Sequence, residues 1–465
     1  MGDYSAFTAS RSLAMVTVLS IGSCTASNAV TPVPRWHVAG GFLRDPDGRA
    51  VILRGANVAG SQKNAPYLGF QQAPDYHRMR DAWGMNAVRF ILPWAAVEPS
   101  SGQYDDAYLD KVAERIGWAE QANLMVVIDM HQDVYGEGFV SGGGDGAPRW
   151  TCDASNYASF KPQSAWYLNV LTPQVTACFD HFWWSADLAQ HYGEAWKRVA
   201  ARLAAYDNVI GFDVMNEPYW GSAGISSFEP DVLEPFYEQI VGAVRSVAPD
   251  QIAFLEPSAF RNLGGSTHLM PFPFGDVVYA PHSYDRDAES NLGFDPTHGP
   301  ALIANIAALQ DEATSLGAAL WIGEYGGRGT DPGIVSYMTA QYDGTGAVAA
   351  GAMYWSYDES NNYGLLNPDG TEKKVLLDVV VRPYPERVAG DPVSFAFDPV
   401  SSTFTFTFRP DASVQAPTVI SVPDRVYPRG ARVDCGGCTV AKSPGEVTLT
   451  TLPAGPMLVV TVRGM

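Results

Sequence analysis

The sequence has few basic residues and, after its N-terminus, no long hydrophobic stretch. Its 465 residues include 30 Lys and Arg against 50 Asp and Glu, which gives a formal net charge of −20. Nucleic-acid binding requires a basic surface that neutralises phosphates, and docking on anionic lipid through charge requires clustered Lys and Arg. We therefore expect no nucleic-acid partner. No later segment has the length of apolar sequence that a membrane-spanning helix needs.

Histidine and cysteine, common ligands of metals in proteins, are also scarce. The chain has 8 His and 5 Cys, and the histidines do not form a ligand motif such as H-x-x-x-H. A metal-dependent hydrolase is therefore disfavoured, and we expect no metal and no cofactor. Aromatic residues, in contrast, are plentiful. The 12 Trp and 22 Tyr are typical of proteins that hold sugar rings or apolar ligands.

The N-terminal segment has the pattern of a secretory signal. Arg11 precedes an apolar run from Leu13 to Gly22, which is too short to cross a membrane. A candidate cleavage site follows Ala29, so residues 1–29 are predicted to be a signal peptide and the protein to be secreted or extracellular. Ile21-Gly22-Ser23-Cys24 is also similar to a bacterial lipobox. The alternative is therefore a lipoprotein anchored to a membrane through Cys24.

The other four cysteines fall into two pairs. Cys152 and Cys178 lie in one long loop, and Cys435 and Cys438 form a C-x-x-C. In an oxidising compartment, two such pairs predict two disulfides. The C-x-x-C lies among short β runs rather than between a strand and a helix, and no second pair of zinc ligands follows it. We interpret it as a hairpin disulfide, with free thiols as the alternative.

Short β runs alternate with amphipathic helical patterns from about residue 40 to residue 385. The candidate strands are Val51–Val58, Ala87–Leu92, Met125–Asp129, Val209–Met215, Ile252–Glu256, Val277–Tyr279, Leu320–Gly323 and Ala352–Trp355. From Leu188 to Tyr206, apolar residues recur every three to four positions, as on the buried face of a helix. Eight such units predict an α/β protein with a (β/α)8 TIM barrel as its catalytic domain, over residues 30–385.

The pattern changes at Arg382-Pro383-Tyr384-Pro385. Beyond this segment, short β runs are separated by Pro and Gly. In Thr403–Phe408 three Phe alternate with three Thr, which is the period of a half-buried strand. Residues 386–465 are therefore predicted to be a small antiparallel β-sandwich domain.

Residues at the carboxyl ends of barrel strands carry the chemistry of this fold. Two of them are glutamates, since Glu217 follows the fourth predicted strand and Glu324 follows the seventh. Three βα units separate them, so we expect their carboxyl groups to face each other across the barrel mouth. Hydrolysis of a glycosidic bond with retention requires two carboxyl groups about 5–5.5 Å apart. The other candidates at strand ends are Arg89, His131, Asn216, His282, Tyr284 and Trp355.

The motifs Asn216-Glu217-Pro218 and Ile322-Gly323-Glu324-Tyr325-Gly326 resemble the two glutamate motifs of glycoside hydrolase family 5. The six companions match that family's shared residues in the same strand order. The resemblance implies that Glu324 is the nucleophile and that Glu217 is the acid/base, which must carry a proton at neutral pH. The roles implied for the companions are that Arg89 keeps Glu324 ionised, Tyr284 donates to Glu324, His282 tunes Glu217, Asn216 holds the sugar 2-hydroxyl and Trp355 forms a floor under the sugar.

The segment Met130-His131-Gln132-Asp133, followed by a Gly-rich stretch, is similar to the endoglycoceramidase branch of the family. Lys63 in Ser61–Pro66 and the Arg382–Pro385 segment also match that branch, whose members cut between an oligosaccharide and ceramide. The resemblance implies a glycosphingolipid substrate and contacts from Lys63 and Asp133 to sugar hydroxyls. We expect a monomer that meets its substrate peripherally, on lipid micelles or a membrane surface.

Other functions remain open at this point. A β-glucosidase acting on glucosylceramide or steryl glucosides would use the same catalytic residues, and so would a glucanase- or mannanase-type polysaccharide hydrolase. A non-catalytic glycan-binding protein with a decayed site belongs to a different class. The intact glutamates and their companions argue against it.

The longest insertion, residues 136–185, is rich in large apolar side chains. They are Trp150, Trp166, Tyr167, Leu168, Phe179, Phe182, Trp183 and Trp184. The alkyl tails of ceramide need an apolar surface beside the barrel mouth. We predict that this loop supplies it and that a Cys152–Cys178 disulfide holds the loop in place. The alternative is that these side chains pack only against one another.

Overall fold

The computed structural model describes Met1, residues 35–451 and residues 457–465. The predicted signal peptide beyond Met1, including Cys24, lies outside the described residues. Within the described ranges, no helix combines the length and the apolar character needed to cross a membrane.

The strands are β1 (His37–Ala39), β2 (Phe42–Arg44), β3 (Ala50–Val51), β4 (Arg54–Val58), β5 (Ala87–Pro93), β6 (Met125–His131), β7 (Val209–Asp213), β8 (Ile252–Leu255), β9 (Val277–Tyr279), β10 (Ala319–Tyr325), β11 (Gly351–Tyr357), β12 (Tyr384–Val388), β13 (Gly390–Asp398), β14 (Thr403–Pro410), β15 (Thr418–Ser421), β16 (Ala431–Cys435), β17 (Cys438–Ser443), β18 (Glu446–Thr451) and β19 (Leu458–Gly464).

The α-helices are α1 (Ala73–His77), α2 (Trp94–Val97), α3 (Asp106–Gln121), α4 (Ala154–Ser159), α5 (Pro173–Trp184), α6 (Ala186–Leu203), α7 (Ile225–Phe228), α8 (Glu234–Arg245), α9 (Ala259–Asn262), α10 (Arg286–Glu289), α11 (Gly299–Leu316), α12 (Ile334–Ala347) and α13 (Lys374–Val380). Short 3₁₀ turns include Ser61–Lys63 and Trp166–Leu171.

Strands β4 to β11 form a closed parallel barrel in chain order, with β11 pairing back onto β4. The predicted (β/α)8 TIM barrel is therefore confirmed. The strand residues are almost all buried, because helices cover the outside of the barrel and side chains fill its interior. This construction brings all eight carboxyl ends to one mouth.

Helix α6 illustrates how the outer layer positions the site. Its Leu, Tyr, Ala, Trp and Val residues recur at helical spacing and are buried against the barrel. Two of them also donate hydrogen bonds to the carbonyl of Val214, Tyr192 through Oη at 2.8 Å and Trp196 through Nε1 at 3.0 Å. The helix thereby anchors the backbone just before Asn216 and Glu217.

The C-terminal strands form two antiparallel sheets, as predicted. One sheet has the order β13-β14-β19-β16, and the other has the order β1-β2-β3-β12-β15-β18-β17. The three Phe of β14, at positions 404, 406 and 408, are fully buried, while the Thr between them are partly exposed. The predicted alternation therefore reflects the inner and outer faces of this strand.

Strands β1 to β3 depart from the predicted division of the chain. The sequence assigns them to the barrel domain, but Ala50 and Val51 pair with Val388 and Arg387 of β12. The predicted strand Val51–Val58 is consequently two strands in two different sheets. The sequence carries no mark of this change of sheet, because the residues of both strands are buried. The domain boundaries after residues 29 and 385 stay predictions.

Both predicted disulfides are present, Cys152–Cys178 and Cys435–Cys438. The second one does not close a hairpin. Strand β16 pairs with β19 in one sheet and β17 pairs with β18 in the other. The Cys435–Cys438 turn therefore crosses between the two sheets, and its disulfide lies at that corner.

Candidate active site

The backbone before and at Glu217 is fixed from several sides. Gln132 Nε2 donates hydrogen bonds of 2.9 and 3.0 Å to the carbonyls of Asn216 and Glu217. The amide of Glu217 donates to Glu256 Oε2 at 2.9 Å. Glu217 has a φ of +40°, a conformation that non-glycine residues adopt rarely and that the surrounding structure must stabilise. These contacts aim its side chain into the barrel mouth.

The two predicted glutamates both approach Nδ1 of His282. Nδ1 of His282 is 2.8 Å from Glu217 Oε1 and 3.6 Å from Glu324 Oε2. One oxygen of each carboxylate and one ring nitrogen all lie within 4.8 Å of one another. This is well below the roughly 6.5–9.5 Å between carboxyl groups of inverting glycosidases. The geometry therefore agrees with a double-displacement reaction.

Glu324 is nearly buried and accepts two hydrogen bonds. Arg89 Nη1 donates to Oε1 at 2.7 Å, and Tyr284 Oη donates to Oε2 at 2.9 Å. Burial raises the pKa of the Tyr284 hydroxyl well above its ordinary value, and the charge of Glu324 adds to the effect. Tyr284 therefore remains a donor at neutral pH.

Arg89 is fully buried at the centre of a group of carboxylates. Besides Glu324, it contacts Asp129 at 3.1 Å, Asp213 at 2.8 Å and Glu256 at 2.9 Å. Burial raises the pKa of Asp213 well above its ordinary value despite the charge of Arg89. Burial therefore opposes the charge of Asp213, and Arg89 offsets part of that cost.

These three acids were not among the predicted site residues, and neither was Asn57, which accepts a hydrogen bond of 3.1 Å from Arg89. The positions of the three acids in the sequence could have identified them. Asp129 and Asp213 interrupt apolar strands, and Glu256 follows one directly. A carboxyl at the end of a buried strand requires a partner. Asn216 also contacts Arg89, through Oδ1 at 2.9 Å, and its Nδ2 donates to the Gln132 carbonyl at 3.0 Å.

His282 is buried between acids on both sides. Its Nε2 is 3.1 Å from Glu256 Oε1, and its Nδ1 contacts Glu217. Burial opposes the charged form, but Glu256, Glu324 and the hydrogen bond to Glu217 raise the pKa of His282 well above its ordinary value. His282 is thus a cationic donor that links Glu217 to the acids around Arg89.

Asn262, at the end of α9, is a further contact of Glu217 that the sequence analysis missed. Its Nδ2 donates a hydrogen bond of 3.0 Å to Glu217 Oε1, and its Oδ1 accepts one of 3.3 Å from the amide of His282. No motif marks this residue, because it lies on a short helix after the fifth barrel strand and only the folded chain brings it to Glu217.

Lys63 and Asp133 contact each other directly on the other side of the mouth. Asp145 lies 3.6 Å from the ammonium of Lys63, and the ring of Trp355 lies under it at 4.6 Å. Burial raises the pKa of Asp145 to about 7 despite Lys63, whereas Lys63 and His131 hold the pKa of Asp133 below its ordinary range.

His131 stacks on Trp355 with its ring centroid 5.3 Å away. Its Nδ1 is 2.8 Å from Asp129 and its Nε2 is 3.5 Å from Asp133. Burial and the charge of Lys63 lower the pKa of His131, but these two acids outweigh them and raise it to about 10. His131 therefore carries a positive charge at neutral pH.

Two clusters of described residues have metal-ligand chemistry, His131–Asp133–Asp145 and Glu217–His282–Glu324. In the first cluster, the ammonium of Lys63 contacts both acids. In the second, Arg89 and His282 supply positive charge to the glutamates. Cationic side chains of the protein therefore contact the acids of each cluster.

Two cavities meet at Glu217. The polar cavity, of about 540 Å³, is lined by residues that include Lys63, His131, Asp133, Asn216, Glu324, Trp355, Asp358 and Arg328. The apolar cavity, of about 370 Å³, is lined by residues that include Trp166, Leu168, Val170, Leu171, Tyr219, Ala259 and Leu263. Glu217 lines both cavities, and Glu324 lines the polar one.

The apolar side chains of the long insertion, residues 136–185, occupy two different environments. Residues 166–171 form part of the wall of the apolar cavity, with Trp166 50% and Leu171 57% exposed. Three aromatic residues of α5 instead pack behind the site. Phe179 and Phe182 are buried, and Trp183 donates a hydrogen bond of 2.8 Å to the Tyr219 carbonyl.

Trp150 also packs inward, and its Nε1 donates to the Glu98 carbonyl at 3.1 Å. Trp184 is 66% exposed and lines neither of the two cavities. The apolar side chains of the insertion that line the apolar cavity are therefore those of the 166–171 turn. The others do not pack only against one another, because Trp94 contacts Trp150 and Phe182, and Phe236 contacts Trp183. Periodicity could not separate these two groups of aromatic residues.

Comparison with known families agrees with this architecture. The family described as Cellulase (glycosyl hydrolase family 5) matches residues 45–361. The family described as Glycoside hydrolase family 5 C-terminal domain matches residues 382–457. The first match covers the barrel strands and both glutamates.

Relatives match over nearly the whole chain. Endoglycoceramidase I of Rhodococcus hoagii is 29% identical over 456 residues, which cover 92% of this chain and 88% of that protein. The structure of endo-glycoceramidase II from Rhodococcus sp. with a cellobiose-like imidazole has a TM-score of 0.82 at 34% identity, over 91% of this chain and 100% of that one. The same enzyme in complex with ganglioside GM3 also gives a TM-score of 0.82, at 33% identity, over 91% of this chain and 99% of that one.

Proposed function

The chain belongs to glycosyl hydrolase family 5, whose members are retaining glycoside hydrolases, and we propose that it cleaves the β-glycosidic bond between the oligosaccharide and the ceramide of glycosphingolipids. One observation carries the choice of substrate. Glu217, the proposed acid/base, lies where a polar cavity meets an apolar one. A substrate that spans this junction has a sugar on one side of the scissile bond and a hydrocarbon group on the other.

The first half of the reaction forms a glycosyl-enzyme ester. The carboxylate of Glu324 attacks the anomeric carbon as the bond to the ceramide oxygen breaks, and Glu217 gives its proton to that oxygen. Arg89 and Tyr284, which donate hydrogen bonds to Glu324, favour its ionised form before the attack. Oε1 of Glu217 already accepts hydrogen bonds, so Oε2 is the oxygen that delivers the proton.

The second half restores the enzyme. Glu217, now ionised, removes a proton from a water molecule that attacks the anomeric carbon, and Glu324 leaves as a carboxylate. Two inversions at the same carbon release the sugar as the β-anomer. His282 stays within reach of both glutamates throughout, and its positive charge stabilises whichever of them is ionised.

The polar cavity is proposed to hold the oligosaccharide. Trp355 supports the sugar ring, and Lys63, Asp133 and His131 surround it with charged hydrogen-bonding groups. Asn216 is proposed to hold the 2-hydroxyl with the second hydrogen of its Nδ2, since the first one goes to Gln132. A contact to this hydroxyl strengthens in the transition state.

The apolar cavity is proposed to receive the ceramide as it leaves a lipid surface. Trp166, Leu168, Leu171 and Leu263 are each at least 38% exposed and line that cavity. An exposed apolar patch at a cavity mouth suits peripheral contact with micelles or a bilayer. Export is proposed as well, and the two disulfides support it. A monomeric state stays a prediction of the sequence.

A panel of substrates tests the proposal. Lactosylceramide, a ganglioside, glucosylceramide, a galactose-series glycolipid, cellulose and mannan are incubated with the enzyme, and released ceramide and intact oligosaccharide are measured. Release of both from lactosylceramide or the ganglioside is expected. Cleavage of glucosylceramide alone would indicate a glucosidase, and cleavage of cellulose or mannan alone would indicate a polysaccharide hydrolase. Either result would overturn the proposal.

A further inference from the structure

Six residues line both the polar and the apolar cavity, namely Asp133, Trp166, Tyr167, Glu217, Tyr284 and Glu289. Any substrate that fills both cavities must pass between them. The contacts at this junction therefore reach the part of the substrate next to the scissile bond.

Glu289 differs from the other polar members of this group. Asp133 contacts Lys63, Tyr284 donates to Glu324, and Glu217 holds His282 and Asn262. The carboxyl of Glu289 has no hydrogen bond or ion pair with the residues that the structure describes. The backbone that carries it is nevertheless held in place, because Asp285 caps the short helix α10 through hydrogen bonds from the amides of Asp287 and Ala288.

The surroundings of Glu289 favour its neutral form. Burial raises its pKa to about 8, and the negative charges of Glu217, Glu324 and Asp285 act in the same direction, whereas His282 opposes them. A protonated carboxyl has one donor and one acceptor. A half-buried polar group of this kind gains stability when a bound molecule supplies its missing partner.

We propose that Glu289 is a specificity-determining residue that hydrogen bonds to the polar neck of the ceramide, the amide and hydroxyl between the glycosidic oxygen and the alkyl tails. This inference rests on the proposed function. Sugar hydroxyls lie on the polar side of the junction and alkyl chains on the other. The neck is the part of the substrate that stands at the junction itself, and it offers a carbonyl acceptor together with N–H and O–H donors. A carboxylic acid matches both kinds of group.

The test compares two lactosides that differ in the neck. Lactosylceramide has the amide and hydroxyl, whereas dodecyl β-lactoside has an alkyl tail without them. For Glu289→Ala, kcat/KM on lactosylceramide should fall roughly tenfold, the effect of one lost hydrogen bond. On dodecyl β-lactoside it should change less than about twofold. Glu289→Gln keeps a donor and an acceptor, so it should retain most of the activity on lactosylceramide.

Asp287→Ala is the matched control, because Asp287 lies on the same short helix and lines neither of the two cavities. It should leave both substrates unaffected. Equal losses on both lactosides in Glu289→Ala, or no loss on either, would overturn the role of Glu289 without touching the proposed function. If the unaltered enzyme cleaved dodecyl β-lactoside but not lactosylceramide, the proposed function itself would fail.

Discussion

Asn262 donates a hydrogen bond of 3.0 Å to Oε1 of Glu217. The amide of Asn262 cannot turn away freely, because its own oxygen accepts a hydrogen bond from the backbone of His282. The side chain of His282 contacts the same oxygen of Glu217 at 2.8 Å. Two donors therefore fix one carboxyl oxygen, which leaves the other as the one proposed to deliver the proton.

Loss of this contact should affect proton donation more than nucleophilic attack. We expect Asn262→Ala to lower kcat/KM on a lactoside with a poor leaving group, such as an alkyl lactoside, by roughly 10-fold or more, because general acid catalysis contributes about 10²–10⁴-fold. A 2,4-dinitrophenyl lactoside, which needs no protonation to leave, should be cleaved at nearly the normal rate. Rates over a series of aryl leaving groups measure this, and a parallel loss across the series would assign Asn262 a structural role only.

The two glutamates should respond differently to azide. Glu324→Ala should lose turnover almost completely, and azide should rescue it with an α-glycosyl azide, since azide then attacks directly in place of the nucleophile. Glu217→Ala should still form the glycosyl-enzyme from an activated aryl lactoside, and azide should release it as the β-glycosyl azide. Product NMR distinguishes the anomers, and the reverse pattern would exchange the two roles.

Hydrolysis should retain the anomeric configuration, because the carboxyl oxygens of Glu217 and Glu324 approach within 4.8 Å, which is below the roughly 6.5–9.5 Å that inverting enzymes need to place a water between a carboxylate and the sugar. NMR of the reaction in its first minutes should show the β-anomer before mutarotation. An initial α-anomer would require a wider separation in the complex with substrate.

The apolar turn should matter for lipid substrates and not for small ones. Replacing both Leu168 and Leu171 by Asn should raise KM for lactosylceramide by roughly tenfold, through the loss of buried apolar contact, and leave an aryl β-lactoside nearly unaffected. Trp184→Ala is the control, since Trp184 is exposed and lines neither of the two cavities. Equal effects on lipid and aryl substrates would mean that the turn only supports the fold.

Stability should decline at high pH because of His131. The pKa of His131 is raised in the folded state to about 10, from an ordinary value of 6.5. Its contribution to the free energy of unfolding is therefore fully present below about pH 6.5 and is lost as the pH rises toward 10. Denaturant unfolding at several pH values should show His131→Gln less stable than the unaltered protein by up to a few kcal/mol near pH 6. The difference should narrow near pH 10, and a constant difference would contradict the assignment.

Much of the barrel follows from local pattern. The strand Val277–Tyr279 has the predicted bounds, and most of the others differ by a few residues at their ends. His131 and Tyr284 could be found because a parallel barrel aligns all its carboxyl ends, so that position at or after the end of a strand predicts position in the mouth. Asn262 and Glu289 could not be found in this way, because they lie on four-residue helices beyond the strand ends, which are too short to show a period.

The sequence by itself determined the barrel, the antiparallel strands at the C-terminus and the pair of glutamates, since these depend on hydrophobic period and on the order of strands. The tertiary structure decided which sheet Ala50 and Val51 join, which aromatic residues of the insertion face the apolar cavity, and which donors reach Glu217. Those outcomes depend on contacts between residues far apart in the chain. The free energy of such contacts comes from burial and hydrogen bonding in the folded state, and a local pattern does not contain it.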